Sequence, residues 1–454
     1  MSLPRYAEYK DSGVEWLGKV PMHWEVGPLR RRIDLNPSKS EIDGKYVDEQ
    51  VSFLPMEAIG ECGEIDLSRT RSIADVSGGY TYFREGDVTF AKITPCFENG
   101  KGARMVGLTN GIGFGTTELT VARPYVDRMD GAYLDWVFRS PSFRSRGEAA
   151  MYGAGGQKRV PDDFVRDFQF AWPEVAEQKV IAAVLDRETA KIDALIAEQE
   201  KLLALLAEKR QATISHAVTR GLDPNVPMKD SGIPWLGQVP ANWKVTKCGR
   251  FTSILSGFAF PSSGFNHEGE GIRLLRGVNV GVSTLRWDDV VYWERRRGDG
   301  LDEYELKVGD LVIGMDRPLI AAGIRVAKVG EPDVPCLLLQ RVALLRTSVA
   351  LNSDFLMHFL SAPMFVAHFS PETTGVSVPH ISPEQIASFV IAVPPIGEQE
   401  RIVQLLAEEL DRLSVLSTNV TKAIDLLKER RSALIAAAVT GQIDVRGIAE
   451  QTTA

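Results

Sequence analysis

KDSGVEWLGKVPMHWEV, at residues 10–26, returns later in the chain as KDSGIPWLGQVPANWKV, at residues 229–245. Eleven of the seventeen positions are identical, and they include two tryptophans, two glycines and a proline in each copy. This agreement is too close for chance. The repeated phrase therefore predicts that the chain is a tandem duplication, with one copy of the phrase near the start of each half.

A second pair of matching segments follows the two copies of the repeated phrase. PEVAEQKVIAAVLDRE begins at Pro173 and PPIGEQERIVQLLAEE begins at Pro394, and the match runs on into AEKRQATISHAVTRGLD and KERRSALIAAAVTGQID. Both copies carry apolar residues at the four–three spacing of a heptad seam. The predicted seam is Ile181, Leu185, Ile192, Leu195, Leu202 and Leu206 in the first copy, and Ile402, Leu406, Leu413, Leu416, Ala423 and Leu427 in the second.

The two predicted helices are long enough to need a partner. At about 1.5 Å per residue, the first spans roughly 60 Å, which neither intervening segment can cover. A single amphipathic helix usually lies against the core of its own domain, but two matched stripes of equal length offer each other a partner. We therefore expect an intramolecular coiled coil. Because the first helix delivers the chain to the second variable segment, from which the second helix starts, we expect the helices to be antiparallel and related by a pseudo-twofold axis.

The segments outside the helices are predicted to be two domains of mixed α/β class. Each contains short strands punctuated by Gly and Asn, followed by a helical stretch, which is GAYLDWVFRSPSF from Gly131 in the first and LNSDFLMHFLSAPMF from Leu351 in the second. The predicted boundaries are a first variable domain at 1–172, a helix at 173–221, a second variable domain at 222–393, a helix at 394–445 and a flexible tail at 446–454.

Composition limits the classes to which the protein can belong. The 454 residues carry a formal net charge of −8, and the four cysteines contain no CxxC pair. This cysteine pattern argues against a zinc site or a disulfide framework and fits a reducing cytoplasm. No apolar run approaches the roughly 18 residues that a membrane span requires, so we expect a cytoplasmic protein with no membrane contact. The negative charge argues mildly against a nucleic-acid partner, since DNA-binding proteins usually carry a basic surface.

Several motifs taken together point to one family. The repeated phrase, FAKITPCFENGKGA from Phe90, GFGTTELTVARP from Gly113 and the helix start P…EQ occur in an order that resembles the specificity subunit of type I restriction-modification enzymes. The resemblance covers essentially the whole chain. It implies two target-recognition domains, each reading one half of a bipartite double-stranded DNA target. It also implies helices that set the gap between the halves and dock two methyltransferase (modification) subunits, which motor-nuclease (restriction) subunits join.

The resemblance also implies that this subunit has no catalysis of its own, and the sequence agrees. A methyltransferase motif of the form [DNS]PP[YFW] is missing, since NPSK at Asn36 and VPPI at Val393 both fail to match it. GIGFG at Gly111 runs into a predicted strand, so no helix N-terminus is available there to hold a phosphate. We expect no catalytic residue, metal or cofactor on this chain. S-adenosylmethionine, and ATP with Mg, are expected on the partner subunits.

Candidate DNA-binding residues lie in two matched pairs of loops. Arg can pair bidentately with guanine and Gln with adenine, and Lys and Arg bind phosphates. The glycine-rich loop GAGGQKRVP from Gly153 presents such residues, and its counterpart is TTGVSVPHIS from Thr373. The second pair is AKITPC and GMDRP. The predicted contacts are Lys92, Thr94, Gln157, Lys158 and Arg159 in the first domain, and Arg273, Arg276, Asn279, Asp316, Arg317, Gln340, Arg341, Ser377 and His380 in the second.

Alternatives remain open for the function and for the repeated phrase. A stand-alone regulator that reads a bipartite operator would share the two reading domains, and a purely structural coiled-coil adaptor would share the helices. We interpret Trp16, Trp24, Trp235 and Trp243 as an aromatic clamp that seats each domain against the helix pair. The alternative interpretation is a docking surface for two copies of one partner.

Overall fold

A computed structural model describes residues 4–42, 44, 47–154, 156–320, 323–373 and 380–447. The chain divides into two compact units: unit 1 comprises Met1–Glu200 with Lys422–Ala454, and unit 2 comprises Lys201–Thr421. Two long helices, Val175–Arg220 and Ile396–Val439, each contribute to both units. None of the helices in the described ranges combines the length and apolarity that crossing a membrane requires.

Unit 1 is a mixed α/β unit. Its strands are Tyr9–Asp11, Lys19–Pro21, Glu25–Pro28, Ile33–Leu35, Gln50–Leu54, Thr70–Ser72, Thr81–Arg84, Val88–Ala91, Gly102–Arg104, Ile112–Gly115, Leu119–Pro124 and Gln169–Trp172. Its shorter α-helices are Ile73–Val76, Gly131–Arg139, Pro141–Ala150 and Asp162–Asp167. Short 3-10 turns lie at Leu29–Arg31, Lys39–Ile42, Met56–Ala58 and Thr109–Gly111.

Unit 2 has a similar order of elements. Its strands are Met228–Asp230, Gln238–Pro240, Lys244–Lys247, Thr252–Ser256, Ile272–Leu275, Tyr292–Trp293, Leu311–Gly314, Leu319–Ile320, Gly323–Ile324, Val326–Lys328, Cys336–Leu338, Val342–Thr347 and Val390–Val393. Its shorter α-helices are Ser353–Ser361, Pro363–Thr373 and Pro383–Ser388. The 3-10 turns are Cys248–Arg250, Ser262–Gly264, Gly277–Asn279, Asp302–Tyr304 and Glu331–Asp333.

A four-stranded antiparallel sheet is common to both units. Its strand order in unit 1 is Ile33–Leu35, Leu119–Pro124, Val88–Ala91, Gly102–Arg104, and in unit 2 it is Thr252–Ser256, Val342–Thr347, Leu311–Gly314, Val326–Lys328. An equivalent ion pair with a buried carboxylate braces each sheet, with Asp87 accepting two hydrogen bonds from Arg123 and Asp310 accepting two from Arg346. The predicted mixed α/β class and tandem duplication are confirmed.

Within each unit the two long helices pack against one another with opposite chain directions. In unit 1, Leu185 near the start of the first helix shares a hydrophobic core with Val439 at the end of the second, and Asp193 pairs with Arg431 at 2.8 Å. In unit 2, Val218 near the end of the first helix shares a core with Ile402 near the start of the second. The predicted antiparallel pairing is therefore confirmed within both units.

The predicted heptad seam is only partly correct. Ile181, Leu185, Ile192, Ile402, Leu406 and Leu413 are buried as predicted. Leu195, Leu202 and Leu416 are 51%, 39% and 50% exposed, so their assignment to the seam was wrong. Ile196 and Leu203, which directly follow two of them, are half-buried instead. The cause is that adjacent apolar residues leave the phase of a helical stripe undetermined until a partner packs against it.

The repeated phrase joins each variable segment to the long helices. Trp24 and Trp243 are almost completely buried. The indole N–H of Trp24 donates to Glu177 Oε1 at 3.2 Å, and that of Trp243 donates to Glu398 Oε1 at 3.0 Å. Both glutamates lie in the first turn of a long helix. This geometry confirms the aromatic-clamp interpretation for Trp24 and Trp243, whereas the rings of Trp16 and Trp235 pack against Phe168 and Phe389 of the variable segments.

The glutamine after each of these glutamates holds a second junction. Gln178 and Gln399 are fully buried. The side chain of Gln178 accepts a hydrogen bond from the backbone N–H of Asp130, and Gln399 accepts the equivalent bond from Asn352. Asp130 and Asn352 are the N-caps of the Gly131–Arg139 and Ser353–Ser361 helices. The EQ pair at each helix start thus fixes both the repeated phrase and the following domain helix.

The boundaries predicted for the five segments stay predictions, because the division into units falls within the long helices rather than at their ends. In the predicted flexible tail, Arg446 is held by Asp444 through two hydrogen bonds. The remainder of the tail, from residue 448, lies outside the described residues.

Candidate DNA interface

In unit 1, two of the predicted DNA-binding loops cross. The backbone N–H of Thr94 donates to the carbonyl of Lys158 at 3.0 Å, and the backbone N–H of Lys158 donates to Thr94 Oγ1 at 3.0 Å. The N–H of Val160 donates to the carbonyl of Lys92 at 2.8 Å. We call residues 92–94 and 157–160 the unit 1 crossing. It brings together all five residues predicted in the first domain, with Gln157 and Lys158 exposed.

Glu118 is a functional candidate that the sequence analysis did not single out. It lies just before the strand Leu119–Pro124 and accepts two hydrogen bonds from Arg159, Nε to Oε2 at 2.9 Å and Nη2 to Oε1 at 2.6 Å. Its backbone carbonyl also accepts from the N–H of Lys92 at 2.8 Å. The hydrogen bond from Arg159 lowers the pKa of the Glu118 carboxyl, so the pair is ionic at neutral pH.

Unit 2 builds a crossing with the same backbone pattern. The N–H of Met315 donates to the carbonyl of Arg341 at 2.9 Å, and the N–H of Ile381 donates to the carbonyl of Met315 at 3.0 Å. Asp316 and His380 form a β-bridge, as Ile93 and Arg159 do in unit 1. We call residues 315–317, 341 and 380–381 the unit 2 crossing. The predicted match between AKITPC and GMDRP is confirmed by this pattern.

Asp316 is the centre of the unit 2 crossing. Its carboxylate contacts His380 Nδ1 at 2.7 Å and accepts from Arg341 Nη1 at 2.6 Å. Burial acts to raise the pKa of Asp316, but the hydrogen bonds from His380 and Arg341 outweigh it and lower the pKa. Arg317 and Arg341 have φ angles of 44° and 68°, a region that non-glycine residues rarely adopt and that is enriched at functional sites.

The other predicted residues of the second domain have varied surroundings. Gln340 is exposed next to Arg341, and Ser377 lies outside the described residues. Arg273 donates to the carbonyl of Pro332 and lies 4.5 Å from the ring centroid of Trp287.

Arg276 and Asn279 are engaged within their own loop. Arg276 pairs with Asp289 at 2.8 Å. Asn279 is 2% exposed and donates to the carbonyls of Arg286 and Asp289. The structure gives these two side chains a role in holding the loop, and their contact with DNA stays a prediction.

The chain is similar to known proteins over most of its length. No family model matches it. The chain is 29% identical over 500 residues to the EcoAI specificity subunit of Escherichia coli, covering 93% of this chain and 83% of the relative. It is 22% identical over 446 residues to the putative MjaX specificity subunit of Methanocaldococcus jannaschii, covering 95% and 96%. The EcoEI specificity subunit of Escherichia coli is 36% identical over a shorter segment of 195 residues.

Solved structures support the same fold. A chain of a type I R-M system superposes with a TM-score of 0.70 at 19% identity, covering 92% of this chain and 98% of that chain. The HsdS subunit from Thermoanaerobacter tengcongensis superposes with a TM-score of 0.57 at 18% identity, covering 93% and 98%. With its duplicated units and paired long helices, the chain is similar over nearly its full length to type I restriction enzyme specificity subunits.

Proposed function

We propose that this chain is a type I restriction enzyme specificity subunit that recognises a bipartite DNA sequence, with unit 1 reading one half and unit 2 the other. The observation that carries the proposal is that both units build a crossing at equivalent backbone positions but place different side chains there. A shared backbone with different surface side chains is what two readers of different base sequences need, because base-edge contacts carry the sequence information.

The side chains at the crossings suit DNA. Lys158 and Arg159 can contact phosphates or guanine, and Gln157 can pair with adenine. In unit 2, Arg317 and Arg341 supply guanidinium groups. The whole chain nevertheless carries a net charge of −8. We therefore expect weak, salt-sensitive DNA binding by the isolated chain, and tight binding only when partner subunits add phosphate contacts.

The long helices are proposed to set the number of base pairs between the half-sites and to dock two methyltransferase (modification) subunits, which motor-nuclease (restriction) subunits join. Exposed leucines along both helices support a docking role, since apolar side chains on a helix surface are common in partner contacts. They are Leu195, Leu202, Leu205, Leu405, Leu416 and Leu426. The duplication offers similar surfaces to two identical partners.

The chemistry is assigned to those partners. The methyltransferase subunits would bind S-adenosylmethionine, and the restriction subunits would bind ATP with Mg. This chain would contribute recognition without catalysis. Because its target is DNA of the cell or DNA that enters it, we expect the complex to work in the cytoplasm.

Methylome sequencing tests the proposal. The chain is co-expressed with its methyltransferase subunit in a host without this modification, beside hosts that express either subunit alone. We expect N6-methyladenine in one bipartite motif, and only when both subunits are present. A contiguous motif, or the same motif from the methyltransferase alone, would contradict the assignment.

The same two subunits also test the alternative functions, a stand-alone regulator and a structural adaptor. The relatives described above are specificity subunits and give no support to a stand-alone regulator. That function would produce tight operator binding by the isolated chain and no methylation on reconstitution. A structural adaptor would produce no base preference in either domain. Electrophoretic mobility shifts with the chain alone, and then with the methyltransferase added, separate these outcomes.

A further inference from the structure

The two crossings place their carboxylates at different positions. In each crossing, the loop that follows the third strand of the shared sheet donates a backbone N–H to a carbonyl. The donor is Lys92 in unit 1 and Met315 in unit 2, and the carbonyl belongs to Glu118 in unit 1 and to Arg341 in unit 2. The same loop forms a β-bridge with Arg159 in unit 1, through Ile93, and with His380 in unit 2, through Asp316. The acidic Glu118 of unit 1 thus corresponds to the basic Arg341 of unit 2. In unit 2 the carboxylate is supplied by Asp316 instead.

In unit 1 the carboxylate fixes the orientation of the guanidinium. Glu118 occupies the edge of Arg159 formed by Nε and Nη2. A guanidinium has five N–H donors, so the edge formed by Nη1 and Nη2 still offers two donors. The Arg159 side chain is 41% exposed. Two parallel donors on an oriented exposed group match the O6 and N7 acceptors of guanine.

In unit 2 the Asp316 carboxylate holds two basic side chains, the imidazole of His380 and the guanidinium of Arg341. The lowered pKa of Asp316 keeps its carboxyl ionised, so the carboxylate accepts hydrogen bonds from the His380 ring at Nδ1 and from Arg341. A neutral imidazole with its proton on Nδ1 presents Nε2 as an acceptor. The side chains of His380 and Arg341 are 45% and 64% exposed. In this neutral form His380 presents an acceptor, suited to the amino group of adenine or cytosine, beside the guanidinium donor of Arg341.

We propose that Glu118 and Asp316 are positioning residues that determine which base edges the two crossings accept, with Arg159 reading guanine and His380 reading an amino-bearing base. This inference rests on the proposed function. The equivalent position carries a negative side chain, Glu118, in unit 1 and a positive one, Arg341, in unit 2. This difference then accounts for two similar domains that read different half-sites.

The test uses the full chain co-expressed with the methyltransferase subunit, with the methylated motif determined by sequencing. Glu118→Gln keeps the shape of the side chain but removes the charge that orients Arg159. We expect a loss of about tenfold or more in the preference for guanine at one position of one half-site. The other half-site should be unchanged and serves as an internal control. Asp316→Asn should relax one position of the other half-site only.

A matched control separates specificity from stability. Glu57→Gln breaks a carboxylate–guanidinium pair of unit 1 outside the crossing, where Glu57 accepts from Arg69 at 2.9 Å, and should leave both half-sites unchanged. If Glu118→Gln and Asp316→Asn lower methylation evenly at all sites without altering the motif, the positioning role is refuted. Thermal unfolding of each variant shows whether such a loss follows unfolding. If the wild-type chain yields no bipartite motif, it is the proposed function that fails.

Discussion

Trp243 and Trp24 occupy equivalent buried sites but do not share the same hydrogen-bonding partners. Glu398 receives the Trp243 indole at 3.0 Å and only a long bond of 3.4 Å from Asn242. Glu177 receives the Trp24 indole together with the Tyr6 hydroxyl at 2.7 Å and contacts His23 at 2.8 Å. Loss of the indole donor should therefore leave the Glu398 carboxylate with fewer and weaker hydrogen bonds than the Glu177 carboxylate.

Trp→Phe substitutions at the two sites test this difference. Both remove similar ring volume, but Trp243→Phe should lower the free energy of unfolding by about 1 kcal/mol more than Trp24→Phe, because a bond to a charged group contributes about 1.5–3 kcal/mol. Calorimetric unfolding of the full-length variants measures this. An equal or larger loss for Trp24→Phe would contradict the account of the clamp.

At the residue scale, prediction from sequence succeeded where a local repeat carried the signal. The two copies of the tryptophans and of the EQ pair identified the junction residues. Glu118 could not be found in this way, because its partner Arg159 lies on a distant loop and its role depends on how two loops cross. The buried amide of Asn279 was likewise indistinguishable from an exposed one in the sequence.

At the element scale, burial along one helix separates leucines that the sequence pattern treats alike. Leu406 is 2% exposed within the unit 2 core, whereas Leu416 on the same helix is 50% exposed. We expect Leu406→Ala to cost about 2–5 kcal/mol of unfolding free energy, and Leu416→Ala to change it by less than about 0.5 kcal/mol. Urea unfolding followed by circular dichroism compares them. Similar losses from both would mean that Leu416 is also packed.

The existence, length and pairing of the long helices were predictable because a stripe that no neighbouring segment can cover needs a partner. Their exact facing residues were not. The run LLALL at 202–206 places apolar side chains on adjacent positions, and only the packing determines that Leu203 and Leu206 turn inward while Leu202 and Leu205 stay exposed.

At the scale of the whole molecule, helix length should control the spacing of the recognised sequence. One heptad is inserted after Glu200 and another after Thr421, where the division between units falls in each helix. Seven residues add roughly 10 Å of helix, which corresponds to about three base pairs. We expect the methylated motif to keep both half-sites and to gain about that many base pairs between them. An unchanged gap would refute the spacing role.

The duplication allowed the architecture to be predicted from sequence, because each motif could be matched with a second copy. The position of the crossings within each unit was only partly predictable. The matched loops identified the crossings. That Glu118 and Arg341 occupy equivalent positions with opposite charge is visible only from their backbone contacts with the neighbouring loops. The bases that each unit reads depend on these contacts and on DNA shape, for which a single sequence carries no signal.

The most direct measurement of the central claim is a domain exchange. Residues 27–170 are replaced by the corresponding segment of a relative with a different known target, and the methylated motif is determined after co-expression with the methyltransferase subunit. We expect one half-site to become that of the relative while the other half and the gap stay as in the parent. A motif that changes in both halves, or in neither, would contradict the assignment of one half-site to each unit.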